Sequence, residues 1–505
     1  MRSKSQPLLA LLLLVVTAWA QTAEQRTAQR LESVRKNPSL LLAFLQAMPK
    51  GGDLHNHLTG SIYAENWIDY AVGGDLCVDR ATSTLIAPPC DPSCASSNKP
   101  GVRCAYGNPV LYNQLVDAWS MRNWTPGKGS GHDHFFATFD KFSLAGTNSV
   151  GNQLAEVASR SAADHLQYVE LMHTADGMNA ATLGNRLGWD DDFGKMRDRL
   201  LSNGLNDVIT ATRTRLDRDE ARKQEILGCS TPHPDPGCTV TVHYLYQVLR
   251  GLSREMVFAE IVLGFELAQS DPRFVGLNLV MPEDWYVPMH DFDLHMQMLD
   301  FLHKVYPKIH ITLHAGELAM GLVPPEGLRF HIRKSIEQGH AERIGHGVSV
   351  MHEDDALGLL KEMSAKHVLV EICLTSNAKI LEVEGASHPL PTYLKYAVPV
   401  ALATDDEGVS RSDMTHEYLR AVQTYGFAYA DLKQMARQSL EHSFLPGESL
   451  WQTGFRTKTP CASERQQSRA PSHTCQRLLD SSEKARIQWR FEKEFAEFEN
   501  STKQP

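Results

Sequence analysis

Short apolar runs alternate with longer amphipathic segments along most of the chain. The longer segments, such as 151–165, Arg254–Ser270 and Phe292–Val305, repeat apolar positions at helical spacing. Strands that alternate with helices indicate a parallel sheet, and eight such units predict a closed (β/α)8 TIM barrel of the α/β class. A doubly wound open sheet is the alternative. The predicted strands are DLHNHL (53–58), YVELM (168–172), VHYLYQVL (242–249), FVGLNLVM (274–281), IHITLH (309–314), RIGHG (343–347), HVLVEIC (367–373) and VPVALAT (398–404).

Other parts of the chain do not follow this alternation. Residues 24–47 carry apolar positions at roughly helical spacing among charges, which predicts a helical segment before the barrel. Residues 75–110 are rich in Pro, Ser, Gly and Cys, which indicates a disulfide-stapled insertion after the first strand. The predicted organisation is a signal peptide (1–20), an N-terminal helical segment (21–47), the barrel (48–74 and 111–415), the Cys-rich insertion (75–110), and C-terminal helices and tail (416–505).

The N-terminus has the pattern of a cleaved export signal. Arg2 and Lys4 precede the apolar run 8–16, and Ala-Trp-Ala at 18–20 is a small-x-small cleavage site. The run is too short to span a bilayer comfortably, and an uncleaved anchor is the alternative. We therefore expect a mature protein that begins near Gln21, is secreted or periplasmic, and has no stable membrane insertion.

The composition is that of an ordinary soluble globular protein, with 42% hydrophobic and 22% charged residues. The formal net charge is −10. This balance argues against a nucleic acid polymer as partner, because such binding depends on neutralising phosphates with Lys and Arg. The net charge does not argue against a small neutral ligand.

The nine cysteines fit an oxidising destination. We predict up to four disulfides and one buried thiol, with the pairing inside the insertion left open. A zinc cluster in the insertion is the alternative. Four cysteines lie in the insertion (Cys77, Cys90, Cys94, Cys104), two pairs bracket polar stretches (Cys229 with Cys238, Cys461 with Cys475), and Cys373 stands alone in a strand-like run.

Ionisable residues of the apolar runs gather at the C-terminal ends of those runs. His55 and His57 lie two positions apart, so in a strand both side chains point to the same face. In a (β/α)8 barrel all strand ends of this kind meet at the active-site face. Three imidazoles and a carboxylate, with a position left for water, form a competent catalytic zinc site. The predicted ligands of one Zn²⁺ per subunit are His55, His57, His314 and Asp405.

Zinc lowers the pKa of its bound water to near neutrality. Neighbouring residues at the same strand ends can therefore handle the proton of that water or protonate the substrate. His346 can take or steer the proton of that water, and Glu317 can act as an acid if the pocket raises its pKa. Asp406 follows Asp405 directly, and both meet a ligand only where the strand bends into its loop. We predict Glu317, His346 and Asp405 as the catalytic residues.

The motifs MPKGGDLHNHLTGS, HAGE, RIGHG, CLTSN and ATDDEG, in this order, resemble those of the adenosine deaminases of the metal-dependent amidohydrolase superfamily. The resemblance covers roughly 48–410, and the export signal and Cys-rich insertion are similar to the secreted, growth-factor-type branch. It implies hydrolytic deamination of adenosine or 2′-deoxyadenosine to the inosine form plus ammonia, by attack of zinc-bound hydroxide at purine C6. By similarity, Glu317 protonates N1, His346 orients and activates the water, and Asp406 holds N7. The secreted branch also implies a homodimer contact through the N-terminal helical segment.

The chain departs from the family pattern at two positions near the substrate. Members usually carry glycine, facing the purine N3 edge, where this chain has Met281, and cytosolic members carry Asp near the ribose where it has Thr59. Together with His57 and Asp406, these are the candidate contacts to a purine nucleoside. Two alternatives stay open: another aminopurine or N6-substituted nucleoside as substrate, or a secreted signalling or binding protein with the barrel as scaffold.

Overall fold

A (β/α)8 barrel forms the centre of the protein, as predicted. The computed structural model describes residues 21–94, 97–462 and 471–501. All eight barrel strands are parallel and neighbour one another in chain order. They are β1 (Gly51–His57), β2 (Leu166–His173), β3 (Thr241–Leu249), β4 (Phe274–Val280), β5 (His310–Ala315), β6 (Arg343–His346), β7 (Leu369–Ile372) and β8 (Val400–Leu402).

The first and last strands meet, which excludes the open doubly wound sheet. Asn56 and Asp405 form a parallel bridge. The N–H of Asp405 donates to the carbonyl of His55 at 2.8 Å, and the N–H of His57 donates to the carbonyl of Asp405 at 3.2 Å. Barrel closure therefore runs directly through three of the predicted metal ligands.

Helices surround the barrel and cover its outer face. Strands buried on both faces need apolar side chains on both, which is why β2 and β4 read as nearly continuous apolar runs. The helices are Ala23–Val34, Pro38–Ala47, Ala64–Gly73, Pro109–Ala118, Gly131–Phe142, Val150–Ala163, Asn179–Leu187, Phe193–Leu200, Asn206–Ile226, Arg254–Ser270, Tyr286–His290, Phe292–Val305, His331–Glu337, Ala356–Lys366, Leu374–Ile380, Leu390–Lys395, Glu407–Ser410, Met414–Tyr425, Tyr429–Glu441, His473–Ser481 and Glu483–Asn500.

The predicted N-terminal helical segment is two helices, because Asn37 and Pro38 interrupt it. The Asn37 side chain accepts from the N–H of Leu40, and Pro38 occupies the first position of the second helix. Proline lacks an N–H and is favoured at a helix start, so the chain turns there. The predicted signal peptide, 1–20, lies outside the described residues. Among the residues described, no helix has the length and apolar character needed to cross a membrane.

The Cys-rich insertion contains a small antiparallel hairpin, Cys77–Asp79 with Thr84–Ile86, followed by a 3-10 helix, Val102–Gly107. A second short hairpin pairs Trp451–Gln452 with Arg456–Thr457 near the C-terminus. The prediction of four disulfides and one buried thiol is confirmed, and the zinc-cluster alternative for the insertion is excluded. The pairs are Cys77–Cys90, Cys94–Cys104, Cys229–Cys238 and Cys461–Cys475, and Cys373 is free and buried.

A buried ion network inside the barrel leads towards the strand ends. Arg343, at the start of β6, donates to Glu170 at 2.5 Å and to Glu371 at 2.6 Å. Glu371 in turn accepts from Nδ1 of His55 at 2.6 Å. A buried charge is costly unless it is paired, so this network fixes both carboxylates and holds the His55 ring.

Candidate active site

The predicted metal ligands come together at the C-terminal ends of β1, β5 and β8. Nε2 of His314 lies 3.1 Å from Nε2 of His55 and 3.2 Å from Nε2 of His57. Oδ1 of Asp405 lies 3.4 Å from His55 Nε2 and 3.3 Å from His57 Nε2. A tetrahedron of ligand atoms about 2.0–2.1 Å from an ion has edges of about 3.3–3.4 Å. These four side chains can therefore hold one metal ion.

Nδ1 of each of the three imidazoles, the nitrogen that faces away from the centre, is hydrogen-bonded to an oxygen. This hydrogen bond fixes the position of the ring proton. Nδ1 of His55, His57 and His314 donates to Glu371 (2.6 Å), Gln247 (2.9 Å) and Asn278 (3.0 Å), respectively. A neutral imidazole carries one proton, so Nε2 of each ring presents a lone pair to the centre. Three imidazole lone pairs, each oriented by an outer partner, and a carboxylate facing the same point are the donor set of a metal site.

The centre has a strong preference for positive charge. Burial lowers the pKa of His55, but hydrogen bonds with Asp405 and Glu371 outweigh burial and raise that pKa to about 10. Burial raises the pKa of Asp405, but its hydrogen bonds with His55 and His57 hold it well below the ordinary value. The same electrostatics that favour a proton at this point favour a cation.

Glu317 lies beside this centre, held by its backbone. The carboxylate of Glu283 accepts from the N–H of Gly316 at 3.0 Å and from the N–H of Glu317 at 2.8 Å. Oε1 of Glu317 is then 3.7 Å from Nε2 of His346. Burial, followed by the charges of Asp405 and Glu283, raises the pKa of Glu317 well above its usual range. Glu317 is thus placed and tuned as a carboxylic acid.

Asp406 turns into the site because the chain bends at Asp405, whose φ is +60°. Burial raises the pKa of Asp406 to about 8, with a further rise from Asp405. Its Oδ1 is buried and has no hydrogen-bond partner among the described residues. A Cβ at residue 60 would lie 1.5 Å from that oxygen, so Gly60 leaves the room that Asp406 occupies. An unsatisfied buried carboxyl oxygen at this position is available to a ligand.

Met281 follows β4 with a left-handed backbone, φ +87°, a conformation that glycine adopts without strain. Its carbonyl accepts two hydrogen bonds from the buried guanidinium of Arg250, at 3.2 and 3.1 Å. The thioether sulfur lies 3.3 Å from the N–H of Gly251, which donates to it. The side chain of Met281 is therefore directed against Gly251, and the backbone keeps the conformation that glycine favours. Thr59 is half-buried and directly precedes Gly60, the residue that lies against Oδ1 of Asp406.

Sequence reasoning missed the residues that support the site. Glu371, Gln247 and Asn278 each interrupt an apolar strand run, which is the one signal the sequence offers for them, although a hydrogen-bonded core residue gives the same pattern. Glu283 and Asn377 lie in loop-like motifs and give no such signal. The second His-x-His, at 132–134, is part of a helix, where His132 is hydrogen-bonded to Asp284 and His134 to the carbonyl of Ser120.

Comparison with known proteins adds family and fold. The sequence model of the family described as Adenosine deaminase matches residues 129–450, more than half of the chain. The adenosine deaminase of Escherichia coli (strain K12) is 38% identical over 140 residues, which are 28% of this chain and 39% of that protein. The chain thus aligns with well under two-thirds of that relative's length.

Two solved structures share the fold. The apo N6-methyl-AMP deaminase of Arabidopsis thaliana superposes with a TM-score of 0.51 at 18% identity, over 80% of this chain and 94% of that one. An amidohydrolase of Burkholderia ambifaria with bound Zn gives 0.50 at 15% identity, over 81% of this chain and 89% of that one. At such identities the likeness concerns the barrel and its surrounding helices.

Proposed function

Because the chain belongs to the adenosine deaminase family, we propose that it is a zinc-dependent hydrolase. Its expected reaction converts adenosine and 2′-deoxyadenosine to inosine and 2′-deoxyinosine, with release of ammonia. The observation that carries the proposal is the set of four ligand atoms within 4.8 Å of one another, with His55 and His57 each 3.1–3.4 Å from both His314 and Asp405 and each imidazole presenting a lone pair. Glu317 and His346 lie beside that set, with His346 Nε2 4.0 Å from Asp405 and 3.7 Å from Glu317, and Asp406 directly follows Asp405.

Zinc is the ion proposed for His55, His57, His314 and Asp405, one per subunit. Imidazole nitrogens and a carboxylate at tetrahedral spacing suit Zn²⁺, which has no geometric preference of its own. The Burkholderia neighbour with bound Zn supports this choice. When bound, zinc makes a coordinated water acidic enough to act as a nucleophile near neutral pH.

We propose that Glu317, His346 and Asp406 transfer or orient protons and bind the purine. Burial raises the pKa of Glu317, which favours the protonated carboxyl that can donate to purine N1. The pKa of Asp406, about 8, likewise leaves a carboxyl that can donate to N7, a ring nitrogen that only accepts. His346, with Nε2 facing Glu317, orients the attacking water. Asp405 combines metal binding with a catalytic role, and His57 lies close enough to contact the substrate.

We place the enzyme outside the cytoplasm, secreted or periplasmic. Four disulfides support an oxidising compartment, and the predicted signal peptide supplies the route. The N-terminal helices remain the candidate contact for a homodimer. The expected partner is a small purine nucleoside and no nucleic acid polymer.

The decisive test is an ultraviolet assay on purified protein. Adenosine should lose absorbance at its maximum with stoichiometric release of ammonia, a chelator should abolish the change, and added Zn²⁺ should restore it. H57A should lose both zinc and activity, whereas H134A, from the second His-x-His, should keep both. Activity that survives complete metal removal would refute the zinc proposal.

Another aminopurine is the second candidate substrate, favoured by Met281 in a conformation that suits glycine and by Thr59 near the expected ribose position. A panel of adenosine, 2′-deoxyadenosine, free adenine and N6-methyladenosine distinguishes the two. The main proposal requires the highest kcat/KM for the two nucleosides with an unsubstituted amino group. If adenine or N6-methyladenosine has the highest kcat/KM, the second candidate replaces it.

A further inference from the structure

A line of buried hydrogen bonds connects a helix backbone with the imidazole of His346. The N–H of Leu390 lies 3.1 Å from Nδ1 of His388. Nε2 of His388 lies 3.0 Å from Oδ1 of Asn377, and Nδ2 of Asn377 lies 3.0 Å from Nδ1 of His346. His388, Asn377 and His346 are all buried. Because no solvent reaches these groups, the hydrogen bonds along the line restrict which nitrogen of each imidazole carries a proton.

The backbone end of the line fixes the proton of His388. A peptide N–H can only donate, so Nδ1 of His388 must accept from Leu390. Burial and the charge of Arg420 lower the pKa of His388 to about 4, so the ring is neutral near pH 7. A neutral ring with an accepting Nδ1 carries its proton on Nε2.

The proton of His388 fixes the orientation of the Asn377 amide. Nε2–H of His388 requires an acceptor, and the amide oxygen is the atom that can accept. The amide nitrogen, a donor only, then faces Nδ1 of His346. Nδ1 of His346 must accept, so a neutral His346 holds its proton on Nε2.

We propose that Asn377 and His388 are positioning residues that fix the proton of His346 on Nε2. This inference rests on the proposed deamination and names the role of His346 within it. Nε2 lies 3.7 Å from Glu317 and 4.0 Å from Asp405, and it has no hydrogen-bond partner among the described residues. The ring therefore donates a hydrogen bond to the attacking water and orients its lone pair. It does not remove a proton from that water at Nε2.

The same proton keeps His346 from acting as a metal ligand. A second group of potential ligands, His55, His346, Cys373 and Asp405, also lies within 4.8 Å of one another. A metal ligand must offer a lone pair, but Nδ1 of His346 accepts from Asn377 and Nε2 carries the proton. Neither nitrogen of His346 is free, so this second group lacks one of its two imidazoles, and the other, His55, belongs to the first group as well.

Neutron diffraction on deuterated crystals of the full mature chain tests the proton positions directly. We expect deuterium on Nε2 of His346 and of His388, none on either Nδ1, and the amide oxygen of Asn377 facing His388. The expectation applies to metal-free and to zinc-loaded protein. Deuterium on Nδ1 of His346 in either form would overturn the inference.

Matched variants test the role of His388. H388Q keeps an N–H that reaches Asn377, whereas H388F fills similar volume and keeps none. We expect H388F to lower kcat by about 10–100-fold, as loss of a supporting hydrogen bond does, with little change in KM. H388Q should retain most of kcat, with equal zinc content and melting temperature in both. Equal kcat in the two variants would assign His388 to packing alone and refute the role.

N377D tests the proton assignment from the side of the amide. Its carboxylate accepts from both neighbours, so the His346 proton moves to Nδ1 and Nε2 becomes a lone pair. We expect kcat to fall by at least the H388F factor, with bound zinc still at one per chain by metal analysis. Unchanged kcat with one zinc per chain would contradict the inference.

The two proposals fail separately. A chain that deaminates nothing in the panel but holds deuterium on Nε2 of His346 refutes the proposed function and keeps the proton assignment. A chain that deaminates adenosine but holds deuterium on Nδ1 refutes the assignment alone.

Discussion

Residues with a left-handed backbone conformation at the strand ends determine the direction of individual side chains. Met281 (φ +87°), His346 (+67°) and Asp405 (+60°) all adopt this conformation, which costs residues other than glycine about 1–2 kcal/mol each. Such strain persists only where the surroundings fix it, and it concentrates at functional sites. Each of the three residues follows or ends a barrel strand. A turn at that point redirects the next side chain towards the pocket, as it does for Asp406.

At this scale Glu317 gives the clearest mutational prediction. E317Q keeps the shape of the side chain but removes the acid, so kcat should fall by about 10²–10⁴-fold while bound zinc stays at one per chain. Stopped-time assays of ammonia release and metal analysis measure the two quantities. E326Q, an exposed change in the loop after β5, is the control and should match the parent protein. An E317Q enzyme with parental kcat would remove Glu317 from the reaction.

At the scale of the element, the helix Arg254–Ser270 carries a buried carboxyl, Glu260, whose ionised form is disfavoured by burial. Glu260 accepts from the N–H of Leu249 at 2.7 Å through one oxygen, and the other has no hydrogen-bond partner among the described residues. Burial, with a smaller contribution from Asp176, raises its pKa to about 8. The folded protein therefore binds this proton more tightly than the unfolded chain does.

The pKa of Glu260 predicts a pH-dependent effect of E260Q. Because the folded-state pKa is raised, the cost of ionisation appears as pH rises above about 4.5 and is complete above about 8. E260Q removes that cost and should raise the free energy of unfolding at pH 9 by about 1–3 kcal/mol, with little effect at pH 4.5. Urea unfolding at both pH values measures it, and E497Q, at an exposed site, is the control. A gain of equal size at both pH values would disprove this origin.

Helices and strands were predictable from the sequence where their burial requires a continuous or periodic pattern of apolar residues. The eight strands stand out because parallel strands are apolar on both faces, and two long helices, Arg254–Ser270 and Phe292–Val305, match their predicted bounds. The break at Asn37 was missed, since apolar spacing continues across Pro38. The clustering of His55, His57, His314 and Asp405 was predictable from their shared placement at strand ends. Their supports, such as Gln247, were not, because one polar residue in an apolar run fits a satisfied core equally well.

On the scale of the whole molecule, the proposed ion joins segments from opposite ends of the chain. His55 and His57 belong to β1, His314 to β5, and Asp405 follows β8. A ligand that binds only the folded state stabilises it in proportion to its affinity and concentration. The metal should therefore support the closure of the entire barrel.

Metal removal should consequently lower the melting temperature. Chelation is expected to reduce Tm by several degrees, since about 1 kcal/mol shifts Tm by about 2–4 °C in large domains, and added Zn²⁺ should reverse the change. Differential scanning calorimetry measures it. The H57A variant is the control and should show a smaller response to chelator. A chelator-independent Tm in the parent protein would show that no tightly bound ion stabilises the barrel.

The bridge between Asn56 and Asp405 also dictates the order of events during biosynthesis. The last ligand of the proposed ion is the residue that seals the barrel, so a nascent chain halted before position 405 would lack both the closing bridge and the fourth proposed ligand. An exported chain that crosses a membrane unfolded must accordingly acquire its metal at its destination, from whatever supply exists there.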